Sequence, residues 1–190
     1  MPKFINFFLS IYVLGFFLSI NATMANEEVK FDIVHKNEIY EIRKYSERLV
    51  AQAINDKNNS TFRKLFNYIS GANNSSEKIE MTTPVTQMKK NNASVMQFYL
   101  PSKFNKKTTP TPNNPDVKIK LMKEGYFAVI RYSGRSSDKN FIKYSEILHK
   151  KLLENKILIN GFAIKATYNP PWTLPLFRRN EVMFKVKWDS

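Results

Sequence analysis

The sequence predicts an α+β domain built from two similar halves, and three observations predict it. The first is a repeat: Lys78-Ile-Glu-Met-Thr-Thr-Pro-Val-Thr86 has a counterpart in Ala163-Ile-Lys-Ala-Thr-Tyr-Asn-Pro-Pro-Trp172. Both copies run Ile-x-x-Thr and then into a proline, at an offset of about 85 residues. That spacing is too long for a solenoid unit and suits the halves of one domain, about 31–100 and 117–188. The second observation is an amphipathic, helix-like stretch before each copy. The third is strand alternation. Val117-Lys-Ile-Lys-Leu121 and Val182-Met-Phe-Lys-Val-Lys-Trp188 alternate apolar and polar residues with period two, as half-buried antiparallel strands do.

Residues 1–25 read as a signal peptide. Lys3 and the amino terminus form a small positive region, Phe4 to Ile20 is apolar, and Thr23-Met24-Ala25 offers small residues for cleavage before Asn26. The alternative is an uncleaved anchor, since an apolar run of about 17 residues is near the lower limit for a membrane span. Either way the remainder is expected outside the cytoplasm, periplasmic or secreted.

Further strands are expected at 38–45, 48–54, 78–88, 95–100, 126–132 and 162–168, all rich in aromatic and β-branched residues. The first helix is expected from Ser60 or Thr61, either a good N-cap, to Gly71. Phe62, Leu65, Phe66 and Ile69 recur along it at i, i+3, i+4 and i+7. The second is expected from Ser137 to about Asn155, with Phe141, Tyr144, Leu148 and Leu152 on one face. Pro101 to Pro115 holds four prolines among Lys, Thr and Asn, and reads as a surface connection between the halves. The turns at Thr82-Thr83-Pro84 and Asn169-Pro170-Pro171 read as structural, because proline fixes φ and removes a donor. Helices set against mostly antiparallel strands define the α+β class.

Composition excludes several chemistries. The chain has no cysteine, so disulfides, thiolate metal sites and thiol nucleophiles are absent. With two histidines, a multi-histidine metal site is not expected. His35 precedes a strand, and His149 lies on the second helix in register with Ile142 and Leu153. No Gly-rich phosphate loop, G-x-S-x-G elbow or H-E-x-x-H motif occurs, and Glu77 with Glu80 lacks a histidine partner. No catalytic residue is therefore assigned, and the chain is not read as an enzyme.

Net charge is +14; without residues 1–25 the chain carries 29 basic and 16 acidic residues, or +13. Such a surface favours anionic partners. The export signal argues against nucleic acid and leaves an anionic lipid, a polyanionic glycan, a dicarboxylate ligand or a simply solvated basic surface. Fifteen Phe, nine Tyr and two Trp must pack somewhere, and a flat apolar ligand is one thing they can pack on. Arg178, Arg179 and Glu181 read as a solvated charge cluster, or as groups that order a loop or meet an anionic ligand.

Five segments occur in order: Tyr40-Glu-Ile-Arg-Lys-Tyr45, Phe66-Asn-Tyr-Ile-Ser-Gly71, Ile79-Glu-Met-Thr-Thr-Pro-Val85, Tyr168-Asn-Pro-Pro171 and Arg178-Arg-Asn-Glu-Val182. Together they resemble the SOUL haem-binding protein family, over about residues 31–188. The resemblance implies a distorted antiparallel β-barrel with two helices and pseudo-twofold internal symmetry. It also implies reversible binding of haem or a related tetrapyrrole, without established catalysis. The porphyrin is then expected in an apolar groove between the first helix and the loop after Asn169-Pro-Pro171. Carried over by motif, its residues are Leu65, Phe66, Ile69, Trp172 and Leu174, with Arg178 and Arg179 as the basic rim for the propionates. Lys44 stands where some members carry a histidine proposed as an iron ligand, and Asn67 where some carry a basic residue. The metal ligand stays open among His35, His149, the tyrosines and the methionines. The expectation is an exported, monomeric protein that holds haem weakly for transport, buffering or scavenging. The alternative is a binding module for an anionic lipid or a cell-surface polyanion.

Overall fold

The computed structural model describes residues 26–55, 61–90 and 93–189. The expected signal peptide and the Ser60 cap lie outside them. Strands β1 (Glu27–Glu28), β2 (Asp32–Lys36), β3 (Glu41–Tyr45) and β4 (Arg48–Asn55) lead into helix α1 (Thr61–Ile69). Strands β5 (Thr82–Thr83), β6 (Val85–Lys90), β7 (Ala93–Tyr99), β8 (Val117–Met122) and β9 (Gly125–Tyr132) precede helix α2 (Asp138–Glu154). Strand β10 (Ile164–Thr167), a 3-10 turn (Pro175–Phe177) and β11 (Asn180–Val186) complete the chain.

Nine strands form one antiparallel sheet, in the order β2-β3-β9-β11-β10-β6-β7-β4-β8, while β1 pairs in parallel with β5. Exchanging β3 with β8, β4 with β9, β6 with β10 and β7 with β11 reads the order from β3 to β8 backwards. The molecule therefore has a pseudo-twofold axis between β6 and β10, where Thr86 faces Ala166. The first strand of each half is exchanged. β3 pairs with β9, and β8 pairs with β4, so the halves interlock.

The sequence repeat is slightly out of register with this symmetry. Ile164-x-x-Thr167 is β10 itself, whereas Ile79-x-x-Thr82 leads into β6. The repeat marks equivalent regions but does not align them residue by residue.

Each helix covers one end of the sheet. Leu65, Tyr68 and Ile69 of α1 pack on Leu49, Ala51 and Ala53 of β4 and on Met96 and Phe98 of β7. Leu148 and Leu152 of α2 pack on Ala128, Ile130 and Tyr132 of β9 and on Val182 and Phe184 of β11, with Phe141 and Tyr144 beside them. Ser137 caps α2 by accepting a hydrogen bond from the Asn140 amide at 3.3 Å, and Asp138 lies in the first turn, where it complements the helix dipole.

The opposite face of the sheet curls over a third cluster of Tyr45, Phe127, Val129, Ala166 and Met183. The Arg48 guanidinium there touches rings from three strands: Tyr45 at 4.5 Å, Tyr99 at 5.2 Å and Phe127 at 5.7 Å. The result is a half-barrel with two outer helices.

Two expectations change in detail. β11 was expected to be half-buried, yet Asn180 to Phe184 are all buried. The strand lies between β9 and β10, with α2 on one face and the third cluster on the other. The proline-rich connection is docked on the end of α1 as well as on the surface. Tyr68 Oη donates to the Pro110 carbonyl at 2.9 Å, and the Asn113 amide donates to the Ala72 carbonyl. Burial, with the nearby Glu77 charge, pushes the Tyr68 phenol up to about 12.

Candidate functional site

Helix α1 splits its predicted apolar stripe. Leu65 and Ile69 turn into the core, as does Tyr68, while Phe62 and Phe66 remain 47% and 46% exposed. The two exposed rings lie 6.0 Å apart and nearly parallel, at 13°, and the edge of Phe62 is held on Phe98 at 5.4 Å. Beside them a cleft of about 240 Å³ is lined by Asn26, Phe66, Ile69, Ser70 and the segment from Lys78 to Met81. The Ile79 amide donates to the Ile69 carbonyl at 2.8 Å, which fixes that segment against the end of the helix. Lys78 stands exposed at the rim and makes no ion pair among the described residues.

The expected opposite wall is the loop between β10 and β11. Phe177 and Arg179 line a second cleft of about 380 Å³, together with Asn26, Glu28, Thr83, Arg131, Tyr168 and Asn169. Asn26 lines both clefts, so they adjoin at the N-terminal end of β1. Of the expected site residues, the structure thus brings Phe66 and Ile69 to one cleft and Arg179 to its neighbour. Leu65 is core, and Trp172 and Leu174 project into solvent.

Arg178 and Arg179 are both engaged within the protein. The Arg178 guanidinium donates to the Thr173 carbonyl at 2.6 Å and to the Pro171 carbonyl, stapling the loop. The Arg179 guanidinium lies 3.7 Å from the centre of the Tyr168 ring and bridges Glu181 and Glu28, each at 2.9 Å. Of the readings the sequence allowed, the loop-ordering one is what the contacts display.

Glu181 is fully buried and organises a charge network. Arg43, itself 4% exposed, forks both Glu181 oxygens at 2.9 and 3.2 Å, and Tyr168 Oη donates to the same carboxylate at 2.7 Å. Arg43 Nε also donates to Glu41 at 2.8 Å. A buried carboxylate of this kind persists only with charge-assisted donors on both oxygens. Burial, then the Glu181 charge, drives the Tyr168 phenol far above its ordinary range. Burial also pushes Tyr45 up to about 12. For Arg43, burial disfavours the cation, but its hydrogen bonds to Glu181 more than offset that and hold it charged.

Three of the five segments quoted from the sequence meet here, supplying Arg43, Tyr168, and Arg179 with Glu181. They form a knot that joins β3, β10 and β11. The segments 66–71 and 79–85 instead build the cleft on α1.

Neither histidine lines either of these two clefts. His35 lies tilted against Tyr40 and Trp188, and His149 meets Phe184 at 6.0 Å. No cluster of three or more His, Asp or Glu side chains suited to a metal ion occurs among the described residues. Sequence reasoning missed Lys78 and Met81 as cleft residues. Their signal was available, because both belong to the repeat segment that follows the helix.

Comparison with known proteins agrees with the fold. The chain is similar to the C-terminal domain of EcmrR, with a TM-score of 0.60 at 14% identity, covering 78% of this chain and 96% of that one. It is similar to an uncharacterized conserved protein from Listeria innocua, with a TM-score of 0.60 at 8% identity, covering 80% and 94%. A hydrolase from Listeria innocua gives 0.58 at 9% identity, covering 81% and 94%. These likenesses carry the fold alone. No curated protein matches the chain. The profile described as SOUL heme-binding protein matches residues 26–185, most of the chain. The protein therefore belongs to the SOUL heme-binding protein family.

Proposed function

We propose that this protein binds haem or a related tetrapyrrole reversibly, with the exposed face of α1 as the seat of the ring. Family membership supports the ligand class. The observation that carries the site is the pair of stacked, half-exposed rings of Phe62 and Phe66 beside an apolar cleft. A flat macrocycle gains by stacking on such rings.

The residues present fit the organic part of the ligand. A tetrapyrrole binder needs an apolar slot, a cation at its mouth and, optionally, one ligand to the metal. Phe66 and Ile69 supply the slot, and Lys78, beside Glu80, is the cation at its rim. Arg179 and Phe177 stand in the adjoining cleft. The cleft of about 240 Å³ is smaller than the roughly 300–1,000 Å³ of enclosed ligand pockets, so the ring would rest on an open face and be held weakly. Bound haem would supply an iron able to take axial ligands. Among the described residues lining this cleft, Met81 is of a type that ligates haem iron.

No catalytic role is proposed. The expected export, from the signal-like residues 1–25, would place this binding outside the cytoplasm and suit transport, buffering or scavenging.

Titrating the protein with hemin tests the reading. A saturable Soret change near one equivalent supports it. Binding no tighter than to an unrelated apolar protein would remove it.

A further inference from the structure

We propose that the loop between β10 and β11 docks the protein on the surface of an anionic lipid bilayer. Four large apolar side chains occur within the six residues Trp172 to Phe177, and each is between 66% and 82% exposed. Their exposure is built in by the loop's own hydrogen bonds. The Arg178 guanidinium turns inward to the Thr173 and Pro171 carbonyls, and the Gly134 amide donates to the Pro175 carbonyl at 2.8 Å. The Phe177 amide donates to the Leu174 carbonyl at 3.0 Å. Pro170, Pro171 and Pro175 have no N–H to satisfy. Residues 169–177 contain no ionisable side chain. The tip therefore presents apolar side chains while several of its polar backbone groups are already paired, as entry into a lipid interface demands. A tryptophan at such a tip suits the headgroup boundary.

Charge complementarity selects the partner. Arg131 shares the cleft with Phe177, and Arg135 follows the glycine that holds the loop. Both are exposed and make no ion pair among the described residues. The whole chain carries +14. Cations flanking an apolar tip match an anionic bilayer, where insertion and electrostatic attraction add.

Among the described residues no helix is long and apolar enough to cross a membrane.

The test uses the full chain carrying Trp188→Phe, which leaves Trp172 as the single tryptophan. Vesicles of phosphatidylcholine alone and of phosphatidylcholine with phosphatidylglycerol are compared, with and without bromine on the acyl chains. The readout is local to the loop, so any contribution of residues 1–25 to vesicle binding does not enter it.

The proposal expects a blue shift of Trp172 emission and quenching by brominated lipid, both stronger with phosphatidylglycerol. Leu174→Ser with Leu176→Ser should abolish the shift. Arg131→Glu with Arg135→Glu should raise the lipid needed by about tenfold. Unchanged near-ultraviolet circular dichroism shows that each variant is folded. Trp172 left unquenched while the chain sediments with vesicles overturns the proposal, and points the loop to a protein partner. Equal quenching by neutral and anionic vesicles overturns the choice of an anionic surface. The test contains no porphyrin and stands whether or not hemin binds.

Discussion

Helices α1 and α2 occupy equivalent places in the pseudo-symmetric sheet, yet they finish their outer faces differently. α2 packs Tyr144 flat on Tyr132, with ring centres 4.2 Å apart. Its exposed apolar residues Ile142 and Leu153 are far apart along the helix. α1 leaves Phe62 and Phe66 stacked side by side at the surface, above a cleft. The connections differ in the same sense. β6 joins β7 through residues 91–92, whereas β10 joins β11 through residues 168–179 and the projecting apolar loop. Symmetry builds the frame, and two departures from it carry the proposed contacts. The first half supplies the proposed ring seat, and the second supplies the proposed bilayer contact.

The largest expected effect lies where the halves interlock. Glu181→Ala leaves Arg43 and Tyr168 without their carboxylate, and should cost about 3–5 kcal/mol in chemical denaturation. A loss below about 1 kcal/mol would mean that the knot does not hold the exchanged strands. Next comes a contrast within α1. Leu65→Ala opens a core cavity and should cost about 2–5 kcal/mol, whereas Phe66→Ala should change stability by about 1 kcal/mol or less. Equal losses would contradict the division of α1 into a core face and a ligand face.

Alkali gives a smaller, distributed effect. Tyr45, Tyr68 and Tyr132 are each pushed up to about 12, chiefly by burial, and Tyr168 is driven higher. The folded state holds these phenolic protons more tightly than the unfolded chain does. The stability they contribute is complete below pH 10 and is lost as pH rises from there through the folded values. The slope is about 1.4 kcal/mol per pH unit for each such phenol. Denaturation midpoints should fall steeply above pH 10, and a flat profile would refute these assignments. Smallest of all is Tyr132→Phe. The buried Tyr132 hydroxyl finds no hydrogen-bond partner among the described residues, so its removal should be neutral or slightly stabilising by thermal melting.

Much of this frame was legible in the residues. Ser137 and the spacing of Phe141, Tyr144, Leu148 and Leu152 specify α2, because capping and a 3.6-residue stripe are local signals. The stripe on α1 misled in part. Periodicity finds an apolar face but not how deeply it sinks: the buried face runs through Leu65, Tyr68 and Ile69, and Phe62 and Phe66 fall on its edge. β11 hid its burial because Asn180 and Glu181 look solvent-facing. Arg43, arriving from 138 residues away, joins the nearby Tyr168 and Arg179 in making a buried Glu181 tolerable. The ordered segments led to the family, but three of the five belong to that knot and two to the cleft, a division no spacing could reveal. Trp172 and Leu174 were expected beside Phe66. The loop that carries them is held by Arg178 locally and by Gly134 from a distant turn, and the second contact is not encoded locally.

A hemin titration of the wild-type protein beside Phe66→Asp decides whether α1 is the ring seat. The mutated side chain is half exposed, so the fold should survive, as far-ultraviolet circular dichroism can check. The predicted result is a saturable one-to-one Soret change in the wild type and affinity at least about tenfold weaker in the folded mutant, a loss of about 1.4 kcal/mol. Unchanged affinity in the folded mutant would contradict the assignment and move the ligand off α1.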